Sequence, residues 1–173
     1  ITGTNSGNNI TGTIYDDVID GRNGADILKG GNPTGSNPGG DDTIIGGGGN
    51  DTLYGGNGIG GIDDGDDVYQ YTGTNTFQDD RIIDGGGSAD LIDLGGFNYS
   101  AGLVTFTAKD VNGNGNYDHL KIDVDNGSTD YGSIFIFNYF DDTSATPVGG
   151  FGHIETIEFG NTSFDLSDVV AAL

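Results

Sequence analysis

Cysteine is absent from all 173 residues, so no disulfide framework can hold this chain together. That suits either a cytosolic protein or one exported without passing through a disulfide-forming compartment. Basic residues are almost as scarce: 5 Lys and Arg stand against 27 Asp and Glu, for a formal net charge of −22. Nucleic acid is thereby excluded as a partner, since it demands a basic patch, and an anionic membrane surface is disfavoured for the same reason. No apolar run approaches the roughly 20 residues that span a bilayer, so no membrane insertion is expected, and no N-terminal signal pattern is visible. The chain begins at Ile1 rather than Met, which reads as the carboxy-terminal fragment of a longer protein. Catalytic signatures are missing too: H-E-x-x-H, G-x-S-x-G and the P-loop do not occur. The two histidines, His119 and His153, read as surface strand residues, and without Cys they make a zinc centre a poor reading. Carboxylates abound, so counting cannot exclude a glycosidase pair. Yet nearly all of them fall at metal-ligand spacing or in turns, and the fragment reads as non-catalytic.

What is present in excess is glycine, 35 of 173, and aspartate. A Gly-rich acidic chain is ordinarily disordered, but eight Tyr and nine Phe argue for a packed core. A compact chain of this charge repels itself. Something must neutralise the carboxylates, and divalent cations are the obvious candidates.

The glycines are not scattered. Nine-residue units read GTNSGNNIT (3–11), GTIYDDVID (12–20), GRNGADILK (21–29) and GGGGNDTLY (46–54). Two further units are interrupted after their third residue by seven-residue insertions: GGN (30–32) plus GDDTII (40–45), and GGN (55–57) plus GDDVYQ (65–70). The insertions are PTGSNPG (33–39) and GIGGIDD (58–64). The sixth position is Asn8, Asp17, Asp26, Asp42, Asp51 and Asp67; the eighth is Ile10, Ile19, Leu28, Ile44, Leu53 and Tyr69. A flexible linker would not keep an apolar residue in place six times.

This pattern resembles the G-G-x-G-x-D-x-U-x nonapeptide of the repeats-in-toxin (RTX) family, a calcium-binding parallel β-roll. Glycine permits the positive-φ turns, turn carbonyls and the sixth-position carboxylate offer the hard oxygens Ca²⁺ prefers, and the eighth residue fills the core. The resemblance implies two units per turn, so odd units share one edge and even units the other. Several ions are implied: between Asp26 and Asp51, between Asp17 and Asp42, between Asp42 and Asp67, and more weakly between Asn8 and Asp26, since Asn carries no charge. The family pattern lacks the two insertions. They would bulge side by side on the even edge, either as tolerated loops or as an extra site with Asp63 and Asp64 as oxygen donors.

After Gln70 glycine thins and aromatics rise. "DDRIIDGGGSADLIDLGG" (79–96) resembles the segment that follows the repeats in this family, with Asp80, Asp84, Asp90 and Asp93 as its acids. Asp84 and Asp90 either hold one further ion or are solvated turn residues. Residues 103–111 and 117–125 read as strands flanking an NGNGN hairpin turn, 133–140 as a central strand apolar on both faces, and 153–159 as another strand. Asp165 is the expected N-cap of a short final helix, with Asp168 three residues on. "DVNGNGNYD" (110–118) fits the opening of an EF-hand loop through Asp110, Asn112, Asn114 and Gly115, with Asp118 at position nine. Lys121 occupies position twelve, where a bidentate Glu is required, so a plain hairpin turn competes with an ion site. The block from about residue 118 to 173 resembles the haemolysin-type calcium-binding related domain that ends many type I secreted proteins.

The expectation is therefore an all-β chain: a parallel β-roll over 1–70, then an antiparallel β-rich region over 71–173 with a short terminal helix. The resemblance implies a monomeric, extracellular module secreted by a type I system, which folds on Ca²⁺ and caps an upstream domain of the same polypeptide. The competing expectation is a cell-surface or adhesin-type module that binds carbohydrate or another ligand at the stacked insertions. Glycan platforms near the repeats would be Tyr54, Tyr69 or Tyr71. An apolar stripe at Val18, Thr43, Val68 and Ile45 would need a cover from the C-terminal half or an upstream domain.

Overall fold

The computed structural model describes residues 1–31, 39–56, 65–72, 76–100, 103–110, 113, 115, 118–125, 130–137 and 154–173. Each nonapeptide yields one three-residue strand from its last three positions: β1 (Asn9–Thr11), β2 (Val18–Asp20), β3 (Ile27–Lys29), β4 (Thr43–Ile45), β5 (Thr52–Tyr54) and β6 (Val68–Gln70). Side chains alternate along a strand, so only the central residue points inward. That residue is the eighth of each unit, and it is sealed from solvent in β2 to β6. Odd strands stack in parallel on one sheet and even strands on the other. Glycine is needed where the turns demand positive φ: Gly24 (122°) and Gly49 (131°) at the fourth position, Gly47 (100°) at the second. A Cβ on Gly47 would overlap the Arg22 carbonyl of the layer below.

The parallel ladder does not stop at Gln70. β7 (Gln78–Ile83) adds to β5 and β8 (Asp90–Leu94) adds to β6, keeping Leu53 opposite Ile82 and Tyr69 opposite Ile92. β11 (Asp130–Ile136) then adds to β7 and β12 (Ile154–Phe159) to β8, again in parallel. The antiparallel pairs are β9 (Val104–Lys109) with β10 (His119–Asp125), β10 with β11, and β12 with β13 (Thr162–Asp165). The antiparallel C-terminal region expected from residue 71 is therefore grown onto the end of the roll. One sheet runs β1-β3-β5-β7-β11-β10-β9, the other β13-β12-β8-β6-β4-β2. β11 lies in its sheet's interior, as its two apolar faces require.

Two apolar columns form the interior of the roll. Ile10, Leu28, Leu53, Ile82 and Ile136 stand in register on one sheet; Ile19, Ile44, Tyr69, Ile92 and Ile157 do so on the other. Past the repeats the core widens into ring clusters. Tyr71, Phe77, Phe97 and Tyr131 make successive edge contacts, and Tyr99, Phe106, Phe159 and Phe164 form a second group. Helix α1 (Leu166–Ala172) starts with the expected capping box between Asp165 and Asp168 and buries Val169. The described part of the C-terminal half continues the sheets end-on and does not lie across the Val18 stripe, and Val18 is 59% exposed.

Candidate metal-binding columns

The sixth-position side chains line up along the two edges of the roll. In each layer the backbone amide of one sixth residue donates to Oδ1 of its counterpart a layer on. On the odd edge Asn8 donates to Asp26 (2.6 Å), Asp26 to Asp51 (2.8 Å) and Asp51 to Asp80 (2.8 Å). On the even edge Asp17 donates to Asp42 (2.7 Å), Asp42 to Asp67 (2.8 Å), Asp67 to Asp90 (2.6 Å), and Asp90 to Oε2 of Glu155 (2.7 Å). The four residue pairs that the resemblance implies are thus neighbours in space.

One carboxylate oxygen is therefore used by the fold and the other is held in reserve. Oδ2 of Asp26, Asp42, Asp51 and Asp90 is sealed from solvent and has no hydrogen-bond partner, whereas the buried carboxyl of Asp80 faces the Tyr71 hydroxyl. Each of these residues is at most 1% exposed. Burying a carboxylate in this way is costly unless a cation or a proton compensates it. Burial pushes the carboxyls up, to about 6 for Asp51, about 7 for Asp42 and about 9 for Asp80 and Asp90. The amide hydrogen bonds to Asp42, Asp51 and Asp80 oppose the shift, and neighbouring aspartates reinforce it. At Asp90 the charge of Asp84 is the second cause.

First-position glycines shape the space these oxygens face. A Cβ on Gly21 would lie 2.5 Å from Asp26 Oδ2 and 2.7 Å from the Gly46 carbonyl oxygen of the next layer. Gly30 stands in the same relation to Asp42 Oδ2 and the Gly55 carbonyl. A carboxylate oxygen and a carbonyl oxygen thus meet at a spot kept free of side chain. The donors are all oxygen, which fits a hard divalent cation such as Ca²⁺ and not the nitrogen and sulfur preferences of zinc. Asp26, Asp42, Asp51, Asp80 and Asp90, with turn carbonyls, are the residues that would hold it.

The first layer differs. Asn8 Oδ1 accepts from the Thr4 amide (2.6 Å), and Asp17 Oδ2 accepts from the Thr13 amide (2.7 Å) and hydroxyl (2.8 Å). Both side chains turn back onto their own loops.

Asp84 and Asp90 do come together, and a carboxylate oxygen of each lies within 4.8 Å of one from Asp67. Asp110 instead closes a hairpin turn: its Oδ1 accepts from Gly113 (2.7 Å) and its Oδ2 from Gly115 (2.8 Å), both glycines at positive φ. Asp118 is buried 2.9 Å from His119 Nδ1. Lys121, at the would-be twelfth position, reaches Asp123 and the Phe135 ring. Asp63, Asp64, Asn112, Asn114, His153 and both insertions apart from Gly39 lie outside the described residues.

The surface placement of His119 is incorrect: it is 7% exposed. Strand alternation aims it outward, but Phe137, just past the end of β11, covers it edge-on with ring centroids 4.3 Å apart. Asp80 and Glu155 were missed as column members. Their signal was the tripeptide of acid, any residue and apolar residue, in Asp80-Arg81-Ile82 and Glu155-Thr156-Ile157. A further exposed row, Asp16, Asp41 and Asp66 at the fifth positions, is linked by amide bonds of 3.1 and 2.9 Å.

No family model matches the chain, and no curated protein matches its sequence. Among solved structures it is similar to the solution structure of the AlgE6R3 subunit from the Azotobacter vinelandii mannuronan C5-epimerase, with TM-score 0.47 and 19% identity. The match covers 78% of this chain and 72% of that one. The assignment as a β-roll stands on the two-sheet parallel topology itself.

Proposed function

We propose that this chain is a calcium-binding β-roll module that folds when ions fill its carboxylate columns. The observation that carries the reading is the set of four sealed aspartates, Asp26, Asp42, Asp51 and Asp90, each with an oxygen that the fold leaves unpaired. At low Ca²⁺ these charges oppose compaction, which suits an unfolded chain passing through a type I export channel. At extracellular Ca²⁺ the binding free energy becomes folding free energy. The module then acts without catalysis of its own, stabilising and capping a larger extracellular protein. Among the described residues no helix is long and apolar enough to cross a membrane. Calcium titration of EDTA-stripped protein, followed by far-UV circular dichroism with Mg²⁺ as control, tests the reading. A coil-to-β transition with Ca²⁺ alone is expected; a spectrum indifferent to Ca²⁺ rejects it.

A second reading, ligand binding, is favoured by one feature. Arg81, Phe135 and Lys121 stand side by side on the outer face of the β7-β11-β10 sheet, and Lys29 lies over the Tyr54 ring at 5.1 Å. Cations beside rings on so acidic a protein would suit an anionic carbohydrate. Tyr69 and Tyr71 are interior and cannot serve as platforms. Retention on an acidic polysaccharide that is lost in Arg81→Glu would support this reading.

A further inference from the structure

The even column ends differently from the rest of the roll. Elsewhere the buried carboxylates of the columns come one per layer on each edge. At the end of the even column Asp84 joins Asp67 and Asp90. It comes from the turn after β7, on the opposite sheet. Its Oδ2 accepts from the Tyr69 hydroxyl (2.7 Å) and its Oδ1 from the Gly86 amide (3.0 Å), so its orientation is fixed from two sides. Tyr69 is wholly buried, an unusual occupant of a position that otherwise takes Ile or Leu. Independently of the cluster, Asp90 is wholly buried with Oδ2 unpartnered. Oxygens sharing one Ca²⁺ at about 2.3–2.6 Å stand no more than about 5 Å apart, and the three carboxylates satisfy this limit at 4.8 Å.

We propose that Asp84 joins Asp67 and Asp90 in a divalent-cation site at the end of the even column, whose ion fastens the 84–90 turn and, through Glu155, strand β12 onto the roll. This rests on the calcium reading above and adds a ligand that the nonapeptide does not encode. The mechanical link is short. The Asp90 amide donates to Glu155 Oε2, and β12 pairs along β8 from Asp90 onward. Neutralising the three charges holds Asp90 in place, and Asp90 holds the first turn of β12. Tyr69 acts as a positioning residue: its hydroxyl orients Asp84.

The test compares intact protein with Asp84→Asn and Tyr69→Phe at saturating Ca²⁺, counting bound ions by native mass spectrometry and following amide hydrogen exchange. Asp84→Asn is expected to bind one ion fewer, with faster exchange across 154–159 and unchanged exchange in β3 and β5. Tyr69→Phe should keep the count but weaken that ion about tenfold, the usual effect of losing a group that orients a ligand. This variant keeps the ring, so it reads the site even where Asp84→Asn does not fold. An unchanged ion count and unchanged exchange in Asp84→Asn would overturn the proposal while leaving the repeat sites standing. Unaltered affinity in Tyr69→Phe would overturn the role of the hydroxyl. Wild-type protein that binds no Ca²⁺ would overturn both this site and the reading on which it rests.

Discussion

The roll and the region grown onto its end are built from the same parallel ladder but held together in opposite ways. In β2 to β6 one side chain per strand enters the core, and the adjacent edge carries buried carboxylates with unpaired oxygens. In β10 four of seven residues are buried, and the surrounding rings of Phe97, Phe106, Phe159 and Phe164 supply apolar contact. Apolar burial of this kind stabilises by roughly 25 cal/mol per Å² and needs no ion. The thin roll lacks that area and places charge where only a cation or a proton offsets it. On the proposed calcium reading, the difference teaches that stability in one chain is conditional on ions at one end and rests on apolar burial at the other.

The sharpest way to break the comparison is to damage each half separately. Phe106→Ala is expected to cost about 3–5 kcal/mol, read by chemical denaturation at saturating Ca²⁺, with the number of bound ions unchanged. Asp42→Asn should instead lower the ion count and raise the Ca²⁺ midpoint about tenfold, or about 1.4 kcal/mol, because Asp42 bridges the Asp17 and Asp67 layers. If Asp42→Asn leaves the ion count intact, the columns are not the sites.

Acidity offers a subtler probe. The folded carboxyls of Asp42, Asp51, Asp80 and Asp90 lie at about 7, 6, 9 and 9, above the unfolded value near 3.9. A raised carboxyl means the folded form binds more protons, so ion-free stability falls as pH rises. That loss begins near pH 4 and continues to about pH 9. Protein in EDTA should therefore show more β structure at pH 5 than at pH 8, and Ca²⁺ should erase the difference. The smallest expected change has the opposite sign. Arg22 adopts φ 75° at the position where the next odd layer has Gly47. Arg22→Gly should relieve strain and raise stability by about 1 kcal/mol, read as a higher melting temperature.

The roll was legible because its two requirements recur at fixed positions: an acid at the sixth and an apolar residue at the eighth, from Asp17 and Ile19 to Asp67 and Tyr69. The odd–even division of strands came with the family resemblance, which implies two units per turn. Past Gln70 the same geometry persists on a broken nine-residue spacing, so Asp80 read as an acid of a closing segment and Glu155 as an ordinary strand residue. The pairing of β12 with β8 joins residues some 65 positions apart, and no local pattern announces it. The Asp84–Asp90 meeting was visible as a possibility; the third carboxylate, Asp67, was not, since it was already accounted for by the repeat. His119 was misplaced because alternation describes a strand alone and not the ring that covers it from its neighbour.

The measurement that tests the central claim most directly is amide hydrogen exchange on the whole chain with Ca²⁺ and in EDTA, at one pH above 7. The account predicts that the amides of β3 to β6, and with them the sixth-position amides of Asp26, Asp42 and Asp51, are protected with Ca²⁺ and exchange freely without it, while β9 and β10 keep measurable protection in both. Equal protection of the roll under both conditions would contradict the account, because the buried carboxylates would then be tolerated without any ion.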